Sequence, residues 1–532
     1  MKILFVRNSC LLMSHSQLSY GLGVIATMAH QGGHTVQVLD NNTHYRFFEM
    51  KDVEKRIRSF LPDVLAYSIT MHNAFETYRQ VSHFRKLFPG MIIIAGGIHM
   101  RHCTMEALQH GIHAVVEQEG ELVILPLLAH LTGRTPETFV SGLESVAGVS
   151  FVRRDGTFHR ATEFPALEDL DAVPIVDYDL FNLSDYIKTG REVGNFYING
   201  QRGCPFKCTF CADEVQLADK RSASGEWMFN NVAALYQKYG VRYILLADNN
   251  ITLHQDRLID FCNRMIESGL NEKVTFSSQT TTRFKLSDEL VALMKRAGFV
   301  RINFGLERLT PFALASIKKV QHLDNVHRVL SLVAKHGIQP SIFVMIGFPF
   351  DNKNLIEEER QLFLDITRYT KRLFISILAP APGTAYYDDN PGIKEWYLDE
   401  KEYLMLRAHF TNVLDMHTFH TIKKNFFGLP PETTASIEEF YNFFKKYCYG
   451  SFIVRPSILT MIMIWLDFGL ARVSQGLFMV SPALEFAIFK RIRGLRYYFG
   501  TLFFSANMER PEAGSPEDTS STAFPSSTTQ AD

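Results

Sequence analysis

RGCPFKCTFCADE, residues 202–214, sets Cys204, Cys208 and Cys211 at a C-x3-C-x2-C spacing with no fourth cysteine nearby. A structural zinc site takes four ligands, and disulfides consume cysteines in pairs. What surrounds the stretch decides the fold of this half of the chain. NFYING, 195–200, is strand-like and runs straight into it. VRYILLADNN (241–250), KVTFSSQT (273–280), VRINFGLE (300–307), QPSIFVMIGFP (339–349) and RLFISILAP (372–380) follow, with helical segments between. About six strand–helix units in series predict a partial (β/α)6 barrel over 193–388, whose working residues lie at strand C-termini and in the loops behind them. The cysteines occupy that place after the first strand.

Residues 1–145 alternate in the same way. KILFVR, SYGLGVIATMAHQGG and HTVQVLD read as strand, glycine-closed helix and strand. DVLAYSIT, NAFETYRQVSHFRKLF and MIIIAGG repeat the unit, and HAVVEQEGE with VILPLLAHLTG closes it. Short apolar strands between helices predict a parallel sheet covered on both faces, a doubly wound, Rossmann- or flavodoxin-like α/β domain. A hairpin on Asp155-Gly156 and a Pro- and Asp-containing linker fill 146–192. Residues 389–505 carry helical patterns without clear strands, and the Ser-, Thr- and Pro-rich segment 506–532 is expected to be disordered.

Composition bounds the function. A chain of 532 residues with 46% hydrophobic and 21% charged residues is long enough for two to four folded domains. A net charge of −1 gives no electrostatic footprint for nucleic acid. Seven cysteines, an odd and mostly scattered number, suit a reducing compartment, and Cys10, Cys103, Cys262 and Cys448 read as ordinary thiols. The apolar runs within 451–505 are broken by Asp467, Arg472 and Glu485 and fall short of the roughly 18 residues of a membrane span. No targeting segment is evident, so the expected location is cytoplasmic.

Three thiolates in one short loop suit a soft metal. On a four-iron cluster they would leave one iron open to a small molecule; for zinc, a remote His or Cys would complete the site. Phe210 stands as the aromatic of a C-x3-C-x-aromatic-C loop. The loop resembles that of the radical S-adenosylmethionine (SAM) superfamily. The resemblance implies that Cys204, Cys208 and Cys211 hold a [4Fe–4S] cluster whose open iron chelates SAM. Further matches are Asp248 in LADNN, Arg283 in TTTRF, Glu307 in GLE, Gly347 in GFP and the LAPAPGT segment at 378–384. The resemblance implies a SAM site at Phe210, Asp248, Arg283, Glu307 and Gly347. Glycine suits close backbone approach and arginine a carboxylate clamp.

Residues 1–145 resemble the cobalamin-binding domain of one large radical SAM class. Ser68 and Thr70 end one strand, Gly96 and Gly97 another, and Glu119 stands in the VEQEGE segment, 116–121. By resemblance these five contact cobalamin. The Asp-x-His-x-x-Gly loop of cobalamin mutases is replaced by LDNNTHYRF, so His44 is expected to be a surface histidine rather than a cobalt ligand. The class implies SAM cleavage to a 5′-deoxyadenosyl radical, hydrogen abstraction from an unactivated carbon and methyl transfer from methylcobalamin. An oxidoreductase or cyclase of the same layout stays open, since IVRPSILTM, 453–461, resembles the anaerobic protoporphyrin ester cyclases. A zinc-stabilised binding protein is the alternative of another class. The implied partners are a small or lipid-like substrate and an electron donor of flavodoxin or ferredoxin type. FKRIRGLRYYFG, 489–500, reads as a solvated helix face, with a peripheral membrane contact as the alternative.

Overall fold

The computed structural model describes residues 1–8, 16–40, 50–181, 187–188, 191–192, 194–212, 221–283, 285–390, 392–399, 425–449 and 488. His44, the 453–461 and 489–500 segments and the 506–532 tail lie outside the described residues. So does most of 389–505.

In chain order, the first domain supplies β1 (Lys2–Arg7), β2 (Ser16–Gln17), β3 (Thr35–Asp40), β4 (Val64–Ser68), β5 (Ile92–Gly96), β6 (Ala114–Val116), β7 (Val149–Val152) and β8 (Phe158–His159). Its sheet runs β3-β1-β4-β5-β6-β7-β8, parallel through β6 and antiparallel at β7 and β8. Both faces are covered, and β1 shows why its sequence lacks alternation. Ile3 and Phe5 enter one apolar cluster, Leu4 and Val6 another on the opposite face. The Asp155-Gly156 hairpin forms as expected, with Gly156 at φ +83° and Thr157 N–H on Asp155 Oδ1 at 2.8 Å. It does not belong to a free linker, however. β7 pairs with β6 and extends the first sheet.

The short ribbons β9 (Ile187–Lys188) with β10 (Arg191–Glu192), and β12 (Gln201–Arg202) with β13 (Arg221–Ser222), flank β11 (Gly194–Ile198). β14 (Tyr243–Leu246), β15 (Thr275–Thr280), β16 (Phe299–Glu307), β17 (Gln339–Ile346) and β18 (Leu373–Ile377) follow. The second sheet runs β18-β17-β16-β15-β14-β11-β2, parallel throughout. Six strands match the sequence reading. The seventh, β2, comes from the first domain, so the domains share a sheet edge as well as a core.

The helices between start where their caps dictate. Ser224 Oγ accepts from Trp227 N, Ser287 Oγ from Leu290 N and Asn352 Oδ1 from Leu355 N, each satisfying an orphan N–H of a first turn. Gly240, at φ +69°, closes the helix Gly225–Tyr239.

The described C-terminal helices cover both domains. Pro431–Tyr449 packs on Lys353–Ile366 through Phe440 and Phe363, 6.2 Å apart edge to face. Gly392–Leu398 lays Trp396 and Tyr397 on the outer face of the first sheet. There Tyr397 Oη donates to Glu106 Oε2 at 2.8 Å, Tyr78 Oη to Glu106 Oε1 at 3.0 Å, and His99 Nε2 lies 3.1 Å from the same Oε1. Among the described residues no helix is long and apolar enough to cross a membrane.

Candidate functional site

The cysteine loop leaves β11 through Asn199 and Gly200. A Cβ on Gly200 would stand 2.4 Å from Arg257 Nη2, so a side chain there would push Arg257 aside. Its N–H donates to Asp248 Oδ1 at 2.8 Å, and Arg257 Nη1 donates to Asp248 Oδ2 at 2.5 Å. Asp248 is therefore fully engaged at the end of β14, and it braces the start of the loop from beneath.

Farther along, Cys211 N–H donates to Cys208 O at 3.0 Å and Thr209 N–H to Ile317 O at 3.2 Å, while Thr209 Oγ1 lies 3.2 Å from Tyr386 Oη. Phe210 meets Phe348 edge to face at 6.1 Å, inside an apolar cluster with Ile317 and Leu378. Phe348 follows Gly347, so the aromatic of the cysteine motif rests on the turn that ends β17. Cys208 is buried; Cys204 and Cys211 are half-buried.

Beside the loop lies a cavity of about 210 Å³, lined by Phe206, Cys208, Thr281, Arg283, Lys318 and Lys319 among others. Arg283 stands over the Phe206 ring at 4.9 Å. Cys208 and Arg283, 75 residues apart in sequence, thus meet at one opening. Glu307 ends β16 at φ +61°, a conformation that non-glycine residues rarely adopt. Its carboxylate folds back over Gly305, where a Cβ would lie 2.8 Å from Glu307 Oε1 and 3.8 Å from Lys319 Nζ. Burial pushes the Glu307 pKa up to about 7, with Lys319 pulling it back.

One group here escaped the sequence reading. Arg308, fully buried, donates to Asp351 Oδ1 at 2.6 Å, lies 3.3 Å from Glu359 Oε1, and is flanked by the Phe348 and Phe350 rings. Asp351 Oδ2 accepts from Gly347 N at 2.8 Å and Phe348 N at 3.0 Å. Glu359 accepts from Leu309 N, Thr310 N and Thr310 Oγ1. The network locks the ends of β16 and β17 together. Its signal in the sequence was a charge on either side of two apolar strand ends, Arg308 after GLE and Asp351 after GFPF.

In the first domain, Ser68 and Gly96 are register partners at the ends of β4 and β5. Gly97 needs to be glycine: its φ is +103°, and a Cβ would stand 2.7 Å from Ile69 O and 2.9 Å from Ile69 N. Gly96, by contrast, has nothing closer than 3.8 Å to such a Cβ, an open backbone shelf between the strand ends. Thr70 N–H donates to Asn73 Oδ1 at 2.8 Å, and Asn73 Nδ2 reaches Asn8 O and Ser68 O at 3.2 Å. Glu119 is engaged: Arg221 binds both of its oxygens, at 2.6 and 3.1 Å.

The radical SAM superfamily model matches residues 198–363 and the B12 binding domain model residues 17–127. This chain belongs to the B12-binding radical SAM enzymes. An uncharacterised methyltransferase of Pyrococcus horikoshii is 27% identical, over 69% of this chain and 77% of its own length. The anaerobic magnesium-protoporphyrin IX monomethyl ester cyclase of Rubrivivax gelatinosus is 25% identical, over 59% of this chain and 56% of its own length. The structure of the radical SAM methyltransferase TsrM of Kitasatospora setae, with cobalamin and a [4Fe–4S] cluster bound, superposes with a TM-score of 0.60 at 16% identity, over 74% of this chain and 78% of that one. That likeness establishes a shared fold.

The residues of this B12-binding radical SAM enzyme fit the groups its domains imply. Three thiols on one loop, braced from beneath by Asp248 and from the side by Phe348, suit a cluster with one iron left open. The cavity at Cys208 offers Arg283 and Thr281 to a polar ligand. The bare shelf at Gly96 suits a ligand lying against backbone. The cluster therefore prevails over the zinc reading.

Proposed function

We propose that this enzyme is a cobalamin-dependent radical SAM methyltransferase acting on an unactivated carbon of a small or lipid-like molecule. When bound, SAM and the cluster supply a 5′-deoxyadenosyl radical and cobalamin supplies a methyl group. The chain's own residues do the rest. Cys204, Cys208 and Cys211 hold the cluster, and Phe210 fixes their loop on the Gly347 turn. Arg283 at the cavity wall would receive a carboxylate, and Glu307, carried at an unusual backbone angle next to the cavity-lining Lys319, would answer an ammonium group. Gly347 shapes the turn and Asp248 aims the loop. Ser68 and Thr70 offer hydroxyls to the cobalamin tail and Gly96 and Gly97 its backbone shelf, while Glu119 acts through its loop.

One observation carries this reading: the three-cysteine loop and the Ser68/Gly96 strand ends belong to domains that share a sheet edge and a continuous apolar core. The methyltransferase name of a relative matched over most of its length favours methylation. The cyclase relative keeps ring formation or oxidation as a second reading. Product mass separates them. Cell extract incubated anaerobically with the reconstituted enzyme and CD3-labelled SAM should yield one compound heavier by a labelled methyl group. Loss of hydrogen or gain of oxygen in its place would establish the second reading. A flavodoxin- or ferredoxin-type donor in the cytoplasm is the proposed source of electrons.

A further inference from the structure

Residues 201–202 and 221–222, on either side of the three cysteines in sequence, form a ribbon of two register pairs, Gln201 with Ser222 and Arg202 with Arg221. Two arginines thus stand directly opposite each other at the base of the loop, two residues before Cys204 and ten after Cys211. Like charges in that position repel. Each is answered by a carboxylate of the other domain. Arg221 forks onto Glu119 at 2.6 and 3.1 Å, and Arg202 Nη2 reaches Glu121 Oε1 at 3.1 Å. All four side chains are at most 15% exposed.

Further hydrogen bonds of the two arginines go to the barrel domain and to the linker. Arg221 Nη1 also donates to Leu167 O, and Arg202 Nη1 to Asn199 O and Gln201 O at 3.3 Å. The carboxylates come from the loop after β6, which is fixed in its own domain. Glu117 takes Ser150 Oγ and pairs with Arg160, and a Cβ on Gly120 would already touch Ile25 at 3.0 Å. In VEQEGE, alternate residues therefore serve two masters. Glu117 holds the loop to the first sheet; Glu119 and Glu121 reach across.

We propose that Glu119 and Glu121 form a double ion-pair clasp by which the cobalamin domain sets the position of the cluster-binding loop. They are positioning residues, acting through Arg221 and Arg202. Removing either carboxylate takes away the ion pair that its arginine makes across the domains and so loosens the base of the loop. The proposal rests on the cofactor reading given above.

Hydrogen–deuterium exchange on the full chain without cofactors reads the clasp directly. In Glu119→Gln, peptides spanning 116–121 and 199–212 should exchange about tenfold faster than in the wild type. Peptides from β1 and from the helix Lys353–Ile366 should not change, which shows that the variant is folded. Glu121→Gln should act on the same two peptides. Exchange at wild-type rates in both variants would overturn the proposal, and so would acceleration throughout the chain. After anaerobic reconstitution, Glu121→Gln should keep iron, sulfide and cobalamin contents while forming less methylcobalamin from SAM and reduced cobalamin. In that step the electron pair of reduced cobalt would form the new bond to the sulfonium methyl carbon, and sulfur would keep the C–S bonding pair as S-adenosylhomocysteine leaves. If the wild type itself binds no cobalamin, the cofactor reading fails while the exchange result still decides the clasp.

Discussion

At the scale of single residues, the chain separates groups that carry chemistry from groups that hold them. Alanine at Cys204, Cys208 or Cys211 should abolish the brown colour of the reconstituted protein and the reductive release of 5′-deoxyadenosine, whereas alanine at Cys262, whose thiol burial pushes up to about 12, should leave both intact. Glu307 makes a pH prediction. Its folded pKa of about 7 lies above the ordinary carboxyl range, so between that range and pH 7 the folded chain keeps a proton that the unfolded chain has released. Stability therefore falls as pH rises through this window. Glu307→Gln should lose less stability than the wild type between pH 5 and pH 8, read as the shift of the urea midpoint. A cation settling beside Glu307 would displace the proton. SAM binding at pH 7 should accordingly release protons, seen calorimetrically in buffers of different ionisation enthalpy, and Glu307→Gln should not show it.

Elements are fixed at their ends. Gly97→Ala would force a side chain onto Ile69 at φ +103°, where backbone strain alone costs about 1–3 kcal/mol. The urea midpoint should fall, and cobalamin retention should fall with it; equal retention would remove Gly97 from the cradle. The Arg308 network acts in the same way on β16 and β17. Asp351→Asn leaves the buried guanidinium with a weaker partner, and breaking such pairs costs about 3–5 kcal/mol. The expected loss of stability, measured by denaturant titration, should exceed that of removing a solvent-screened surface pair such as Arg58–Glu54. How much was legible follows from these particulars. Strands such as KILFVR and QPSIFVMI announced themselves as apolar runs, and the Asp155-Gly156 turn by its residue types. The partners of Asp248 and Glu119 did not, because a carboxylate reads the same whether it faces a ligand or an arginine.

For the whole molecule, contacts between distant segments determine what the parts become. Glu106 is buried, which alone would raise its pKa, yet the hydrogen bonds of His99, Tyr397 and Tyr78 hold it below the ordinary carboxyl range. Tyr397 lies 291 residues away, on a helix of the C-terminal region. Tyr397→Phe should cost about 1.5–3 kcal/mol, the worth of a hydrogen bond to a charged group. It should also raise proteolytic sensitivity near Trp396, and an unchanged cleavage pattern would show that the helix docks by its apolar face alone.

The sequence by itself determined the two α/β domains, their order and the three-thiol loop behind the first barrel strand, because apolar periodicity and cysteine spacing are local properties of the chain. Tertiary structure alone decided that β2 crosses into the barrel sheet, that the hairpin joins the first sheet, and that Glu119, Glu121, Asp248 and Asp351 spend their charge on arginines and backbone amides. Those choices depend on which groups are brought within about 3 Å after burial, and side-chain charge reads identically in one dimension whatever it will meet in three.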